Sequence, residues 1–184
     1  MARILAFLLL LMLPAVSFAG AADGLVPAGS LSKALALVEA NRISDAMKTL
    51  ATFRPDMATL GPYHYIYGRA FASARNPHEA ASRYRRASIY ASNAGLKELS
   101  LSLAAETELG MGYYHEAKAD CLIFLKIFPN SARVRRVRVV LARSLSGTGR
   151  LSEALRQYDL AGNTPEGLYG KADTFQKMGM TREA

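Results

Sequence analysis

The sequence predicts an all-α protein, an α-solenoid made of antiparallel helix pairs. Three observations carry that class. Helix-favouring residues dominate, and no long stretch alternates apolar and polar residues with period two. Turn formers punctuate the chain at intervals: Arg54-Pro55, Asn76-Pro77, Pro129-Asn130, Gly147-Thr148-Gly149 and Gly162-Asn163-Thr164-Pro165. One short plan also recurs five times: a turn, a short gap, an acidic residue, then alanine. It reads Asn41-Arg42-Ile43-Ser44-Asp45-Ala46, Asn76-Pro77-His78-Glu79-Ala80, Gly112-Tyr113-Tyr114-His115-Glu116-Ala117, Gly149-Arg150-Leu151-Ser152-Glu153-Ala154 and Gly179-Met180-Thr181-Arg182-Glu183-Ala184. The alanines stand 34, 37, 37 and 30 residues apart. A period in the thirties carried by helix formers marks a helical solenoid.

Residues 1–21 read as a secretory signal peptide. Arg3 supplies a positive start, Ile4 to Leu13 an unbroken apolar run, and Pro14 a helix break before Ala15, Ser17, Ala19, Gly20 and Ala21. Cleavage is expected after Ala19 or Ala21. The run is shorter than the roughly 20 residues that a membrane-crossing helix needs. The expected destination is the periplasm or cell envelope. Residues 22–184 form the repeat domain, with units near 27–60, 61–97, 98–134, 135–164 and 165–184. The fifth stops where its second helix should begin, so the chain is expected to continue past Ala184.

Each unit has a helix A, a turn and a helix B. Gly112, Gly149 and Gly179 adopt positive φ cheaply at the turn, and Asn41 does so at modest cost. Ser44 is expected to help cap its helix B. The acidic residue before each alanine sits in the first turn, where the helix dipole favours it. The alanine is small because two helices cross there. Four residues on stand Leu50, Tyr84, Cys121 and Tyr158, and three further Phe53, Ala87, Phe124 and Ala161. This i, i+4, i+7 series is one buried face. The stretch Val137 to Leu141 reads as helix despite its β-branched residues. Cys121 is the chain's one cysteine, so no internal disulfide is possible, and it reads as a small buried hydrophobe.

The pattern resembles the tetratricopeptide repeat family. The second unit carries Tyr67-Gly68, Phe71, Ala80, Tyr84 and Ala87. The third carries Leu101, Ala104-Ala105, Gly112, Ala117, Cys121, Phe124 and Pro129. The fourth has Leu141-Ala142, Leu145, Gly149, Ala154, Tyr158 and Ala161, and the fifth Leu168, Ala172, Phe175, Gly179 and Ala184. The first is weaker: Ala34, Leu37, Asn41, Ala46, Leu50 and Phe53. The resemblance implies a right-handed superhelix whose concave groove is lined by helix A. Its groove places fall on Pro62, Tyr65, Arg69 and Ala72; on Leu99, Ser102, Glu106 and Leu109; on Arg136, Val139, Arg143 and Ser146; and on Glu166, Tyr169, Asp173 and Gln176. Tyr65, Arg69, Glu106, Arg136, Arg143, Tyr169 and Asp173 are the expected partner-binding residues. Tyr65 and Tyr169 are the expected exposed anchors, while Tyr67 and Tyr84 fill core places. The lysines and asparagines of the family's carboxylate clamp are absent.

Nothing points to catalysis. His64, His78 and His115 lack metal-ligand spacing, and no nucleophile elbow, phosphate loop or dinucleotide fingerprint occurs. No cofactor or metal is expected. Net charge is +8, unevenly spread: +5 over residues 61–97, −2 over 98–134 and +4 over 135–164. With export, nucleic acid is not an expected partner. The expected partner is an extended protein or peptide of some acidic character. The alternatives are attachment to an anionic envelope component (peptidoglycan, lipid or acidic polysaccharide) through Arg133, Arg135, Arg136 and Arg138, or a spacer role beside a C-terminal domain of the same chain. Those arginines oppose the dipole at a helix start, which calls for a partner or an acidic neighbour.

Overall fold

A computed structural model describes residues 24–180, and these form nine α-helices with no strand among them. They are α1 (Ser30–Glu39), α2 (Ile43–Thr52), α3 (Leu60–Ser73), α4 (Pro77–Tyr90), α5 (Ala94–Gly110), α6 (Tyr114–Ile127), α7 (Val134–Gly147), α8 (Leu151–Ala161) and α9 (Pro165–Lys177). Odd-numbered helices are helix A of successive units, and even-numbered ones are helix B. The signal-peptide reading and the last anchor alanine fall outside the described residues. No described helix is long and apolar enough to cross a membrane.

The A–B turns share one hydrogen-bond pattern. At the third unit Gly112 N–H donates to Leu109 O and Tyr113 N–H to Glu108 O; Gly149-Arg150 and Gly179-Met180 repeat the pair. This is the Schellman closure, which needs a left-handed residue just past the helix. The three glycines have φ of 76–78°, and Asn41 has 58°. In the second unit the place belongs to Arg75, at φ 57°, and not to the Asn76-Pro77 pair that marks the turn in sequence. Asn76 is instead the N-cap of α4, its side chain accepting from Glu79 N–H at 3.2 Å. Ser44 does not cap α2: the N-cap is Arg42, with no side-chain cap bond. Arg42 instead pairs with Asp45 at 2.7 Å, as Arg150 pairs with Glu153 at 2.6 Å. The ion pair ties the N-cap residue to the first turn but leaves the first-turn N–H groups without a side-chain cap.

The helix B face is as the spacing predicts. Ala46, Ala80, Ala117 and Ala154 are fully buried, and Leu50, Tyr84, Cys121 and Tyr158 are buried with them. Phe53 is the exception, half-exposed at the rim. Val137 to Leu141 lie inside α7. Consecutive A helices touch one another, whereas helix B touches only the A helices of its own and the next unit. The A helices therefore form one layer and the B helices a second, with the core between them. The two 37-residue spacings arise differently. In one, α5 runs to 17 residues against 14 for α3 and α7. In the other, residues 128–133 form a longer link between α6 and α7.

Candidate protein-binding groove

The A-helix layer carries the expected groove residues on α3, α5, α7 and α9, but it sorts them into different roles. Tyr65 corrects the reading of an exposed anchor: its ring is 1% exposed and packs 6.3 Å from that of Tyr84. The touching neighbours of α3 close over that place. Only the hydroxyl engages one of the other expected groove residues, accepting from Arg69 Nη1 at 3.1 Å. Tyr67, expected in the core, packs against its edge and is partly buried, with the Arg83 guanidinium 4.7 Å above its ring. Pro62, Leu99, Ser102, Val139 and Ser146 are also buried. Four places of this register in α3 and α5, and two in α7, are thus buried and closed to a partner.

What remains at the surface is mostly charged and staggered. Glu106 of α5 accepts both a 2.6 Å and a 2.7 Å bond from Arg136 of α7. Arg69 lies in the field of Glu39 on α1, and Arg136 in that of Glu166 on α9. Acid and base therefore alternate from α1 to α9: Glu39, Arg69, Glu106, Arg136, Glu166. Sequence reasoning passed over Glu39, because the first unit matches the repeat least well; the alternation of sign from unit to unit was the signal available. Asp173 pairs with Lys177 at 2.7 Å on its own helix. Arg143 is exposed, and no described carboxylate pairs with it. Tyr169 is 75% exposed. Arg143 and Asp173 both act on the Tyr158 hydroxyl, which burial raises to about 12.

Of the four arginines at the start of α7, Arg133 and Arg136 find the acidic neighbours their position calls for, Arg138 finds a neutral amide, and Arg135 is exposed with no partner among the described residues. Arg133 pairs with Glu98 at 3.5 Å, Arg136 with Glu106, and Arg138 donates to Gln157 at 2.9 Å. The basic run is thus largely spent on α5 and α8. His78 and His115 are exposed at turns, and no described group of three His, Cys, Asp or Glu could hold a metal.

No protein-family model matches this chain, and no curated protein matches it. Solved structures do. A MamA AMB-1 structure superposes with a TM-score of 0.64 at 19% identity, over 84% of this chain and 90% of that one. A MamA MSR-1 structure superposes with a TM-score of 0.66 at 20% identity, over 84% and 88%. At that identity the likeness speaks for the fold, and this chain shares with MamA an all-helical, tetratricopeptide-like stack of helix pairs.

Proposed function

We propose that this chain is a non-catalytic, protein-binding scaffold of the cell envelope that takes an extended, acidic segment along the α7–α9 end of its A-helix groove. One observation carries the reading. Arg143 is exposed with no hydrogen-bond or ion-pair partner among the described residues, whereas Arg136 is paired with Glu106 and Arg69 is half-buried and donates to the Tyr65 hydroxyl. A guanidinium offers a planar donor fork to an incoming carboxylate. Tyr169, across on α9, supplies a large contact surface with few torsions to freeze. Arg69, Glu106 and Arg136 then set the groove's shape, and Tyr65 supports Arg69 from below. The fold shared with MamA supports binding over catalysis by analogy alone.

The test is selection of displayed peptides on the mature chain, followed by affinity measurement on Arg143→Ala and Tyr169→Ala. Selected peptides should be rich in Asp and Glu, and each variant should bind them about tenfold more weakly with helix content unchanged. Peptides without acidic character, or equal binding by both variants, would overturn the reading. Export has its own test. N-terminal sequencing of the envelope fraction should begin at Gly20 or Ala22, and a cytosolic chain retaining Met1 is the contrary outcome.

A further inference from the structure

A cleft of about 210 Å³ lies between α4 and the A–B turn of the third unit. Arg85 and His78 of α4, Met111 and Tyr113 of the turn, Glu116 of α6 and the buried Glu108 of α5 line it. It faces away from the groove. Glu106 points to the groove, and Glu108, two residues on, is turned by about 200° around the helix. Its charges do not balance. Arg85 is the one guanidinium there, and it is divided between Glu108 Oε1 and Asp120 Oδ2, the latter at 3.4 Å. Glu116 adds a third carboxylate. Glu108 is 2% exposed, and its Oε2 is buried with no hydrogen-bond partner. An unpaired buried carboxylate oxygen is costly to keep. The same imbalance is legible along the chain, since residues 98–134 carry −2 in a protein of +8.

The walls select the kind of cation. The donors do not suit a metal, since no three described His, Cys, Asp or Glu residues converge. The volume lies below the roughly 300 Å³ at which sites for drug-sized ligands begin, and suits a single side chain. Met111, Ala81 and the Tyr113 ring offer apolar surface to a methylene stem. The ring of Tyr113, 5.4 Å from that of His78, also offers its π-face to a cation. Facing Glu108 are Arg85 and His78 from α4, Tyr113 from the turn, and Glu116 and Asp120 from α6.

We propose that this cleft receives a cationic side chain, arginine or lysine, from a protein partner, and that its head group supplies the positive charge that Glu108 and Glu116 lack while Arg85 is shared with Asp120. The site stands apart from the groove and does not depend on it.

NMR titration of the mature chain with N-acetyl-arginine methylamide, its lysine counterpart and the neutral citrulline counterpart tests this. At least one cationic probe should shift the Ser82, Met111 and Tyr113 amides saturably, while citrulline leaves them in place. A response to only one cation names the head group. Burial, and then Asp120, hold the Glu108 carboxyl up at about 7. If the ionised form binds, affinity should rise about tenfold from pH 6 to pH 8. Glu108→Gln should remove that pH dependence and weaken binding at pH 8 about tenfold. Glu116→Gln, at an exposed position, guards against a folding defect at Glu108 and should weaken binding about threefold. The proposal is overturned if citrulline shifts the same amides equally, if neither cation shifts them, or if both variants bind like the parent.

Discussion

Arg75 occupies in the second unit the left-handed place that glycine holds in three others, at φ 57°. A side chain there carries a steric cost that glycine avoids. Arg75→Gly should therefore stabilise the fold by about 0.5–1 kcal/mol, net of the glycine's extra freedom when unfolded. The measurement is a raised urea midpoint at unchanged slope, and a lowered midpoint would show that Arg75 earns its place by contacts. Gly68 is the converse case. A Cβ there would meet the Tyr84 ring at 2.6 Å, and Gly170 stands in the same relation to Tyr158. Gly68→Ala should cost about 1–3 kcal/mol by overpacking, read from thermal melts. Unchanged melting would mean that the ring moves aside freely. The Tyr67-Gly68 pair was legible as a repeat mark; which of the tyrosines packs inward was not, because spacing on one helix says nothing of how closely the next helix approaches.

At the scale of elements, α7 is the instructive helix. Its β-branched run and its crowd of arginines both argue against helix locally, and both are overridden by packing. Val137, Val139 and Val140 are buried against neighbouring helices, and Glu98, Glu106 and Gln157 receive Arg133, Arg136 and Arg138. The bidentate Arg136–Glu106 pair ties α7 to α5, with Glu106 largely shielded from water. A double-mutant cycle on Arg136→Ala and Glu106→Ala should give a coupling of about 1 kcal/mol, the upper end for pairs near a surface. A coupling near zero, together with weakened peptide binding by Arg136→Ala alone, would return Arg136 to the list of partner contacts. The acidic residue of each first turn was visible in the repeat, and the structure adds its partner on the preceding residues, Arg42 and Arg150. The arginine clusters looked like a docking surface because their acidic partners lie 30 or more residues away, in another unit.

For the whole molecule, pH acts in one sense through buried His64 and in the other through the neighbouring buried carboxyls Glu108 and Asp120, both of which burial raises. His64 is 7% exposed, and burial, with Arg83 and Arg86 nearby, lowers its pKa from 6.5 to about 4. Its contribution to stability is full above pH 6.5 and is lost as pH falls through 4. Glu108 is raised from 4.5 to about 7, so its contribution is full below pH 4.5 and is lost as pH rises through 7. Between these limits His64 and Glu108 act in opposite directions, and Asp120 adds to the Glu108 side. Removing one group exposes the other. His64→Asn should become more stable relative to the parent on acidification from pH 7 to 4.5, and Glu108→Gln less stable. Parallel curves for all three proteins would reject the assignment. The core is built in the same additive way, from residue 31 to 104 on one side and 101 to 161 on the other, joined through α5. Chain order by itself determined the helix pairs, their turns and the buried face of helix B, because turn chemistry and 3.6-residue periodicity act within a few residues of each other. Only the tertiary structure decided which face of helix A stays open, which arginines are already paired, and that Glu108 is stranded without a second cation, because those depend on how closely one unit settles against the next.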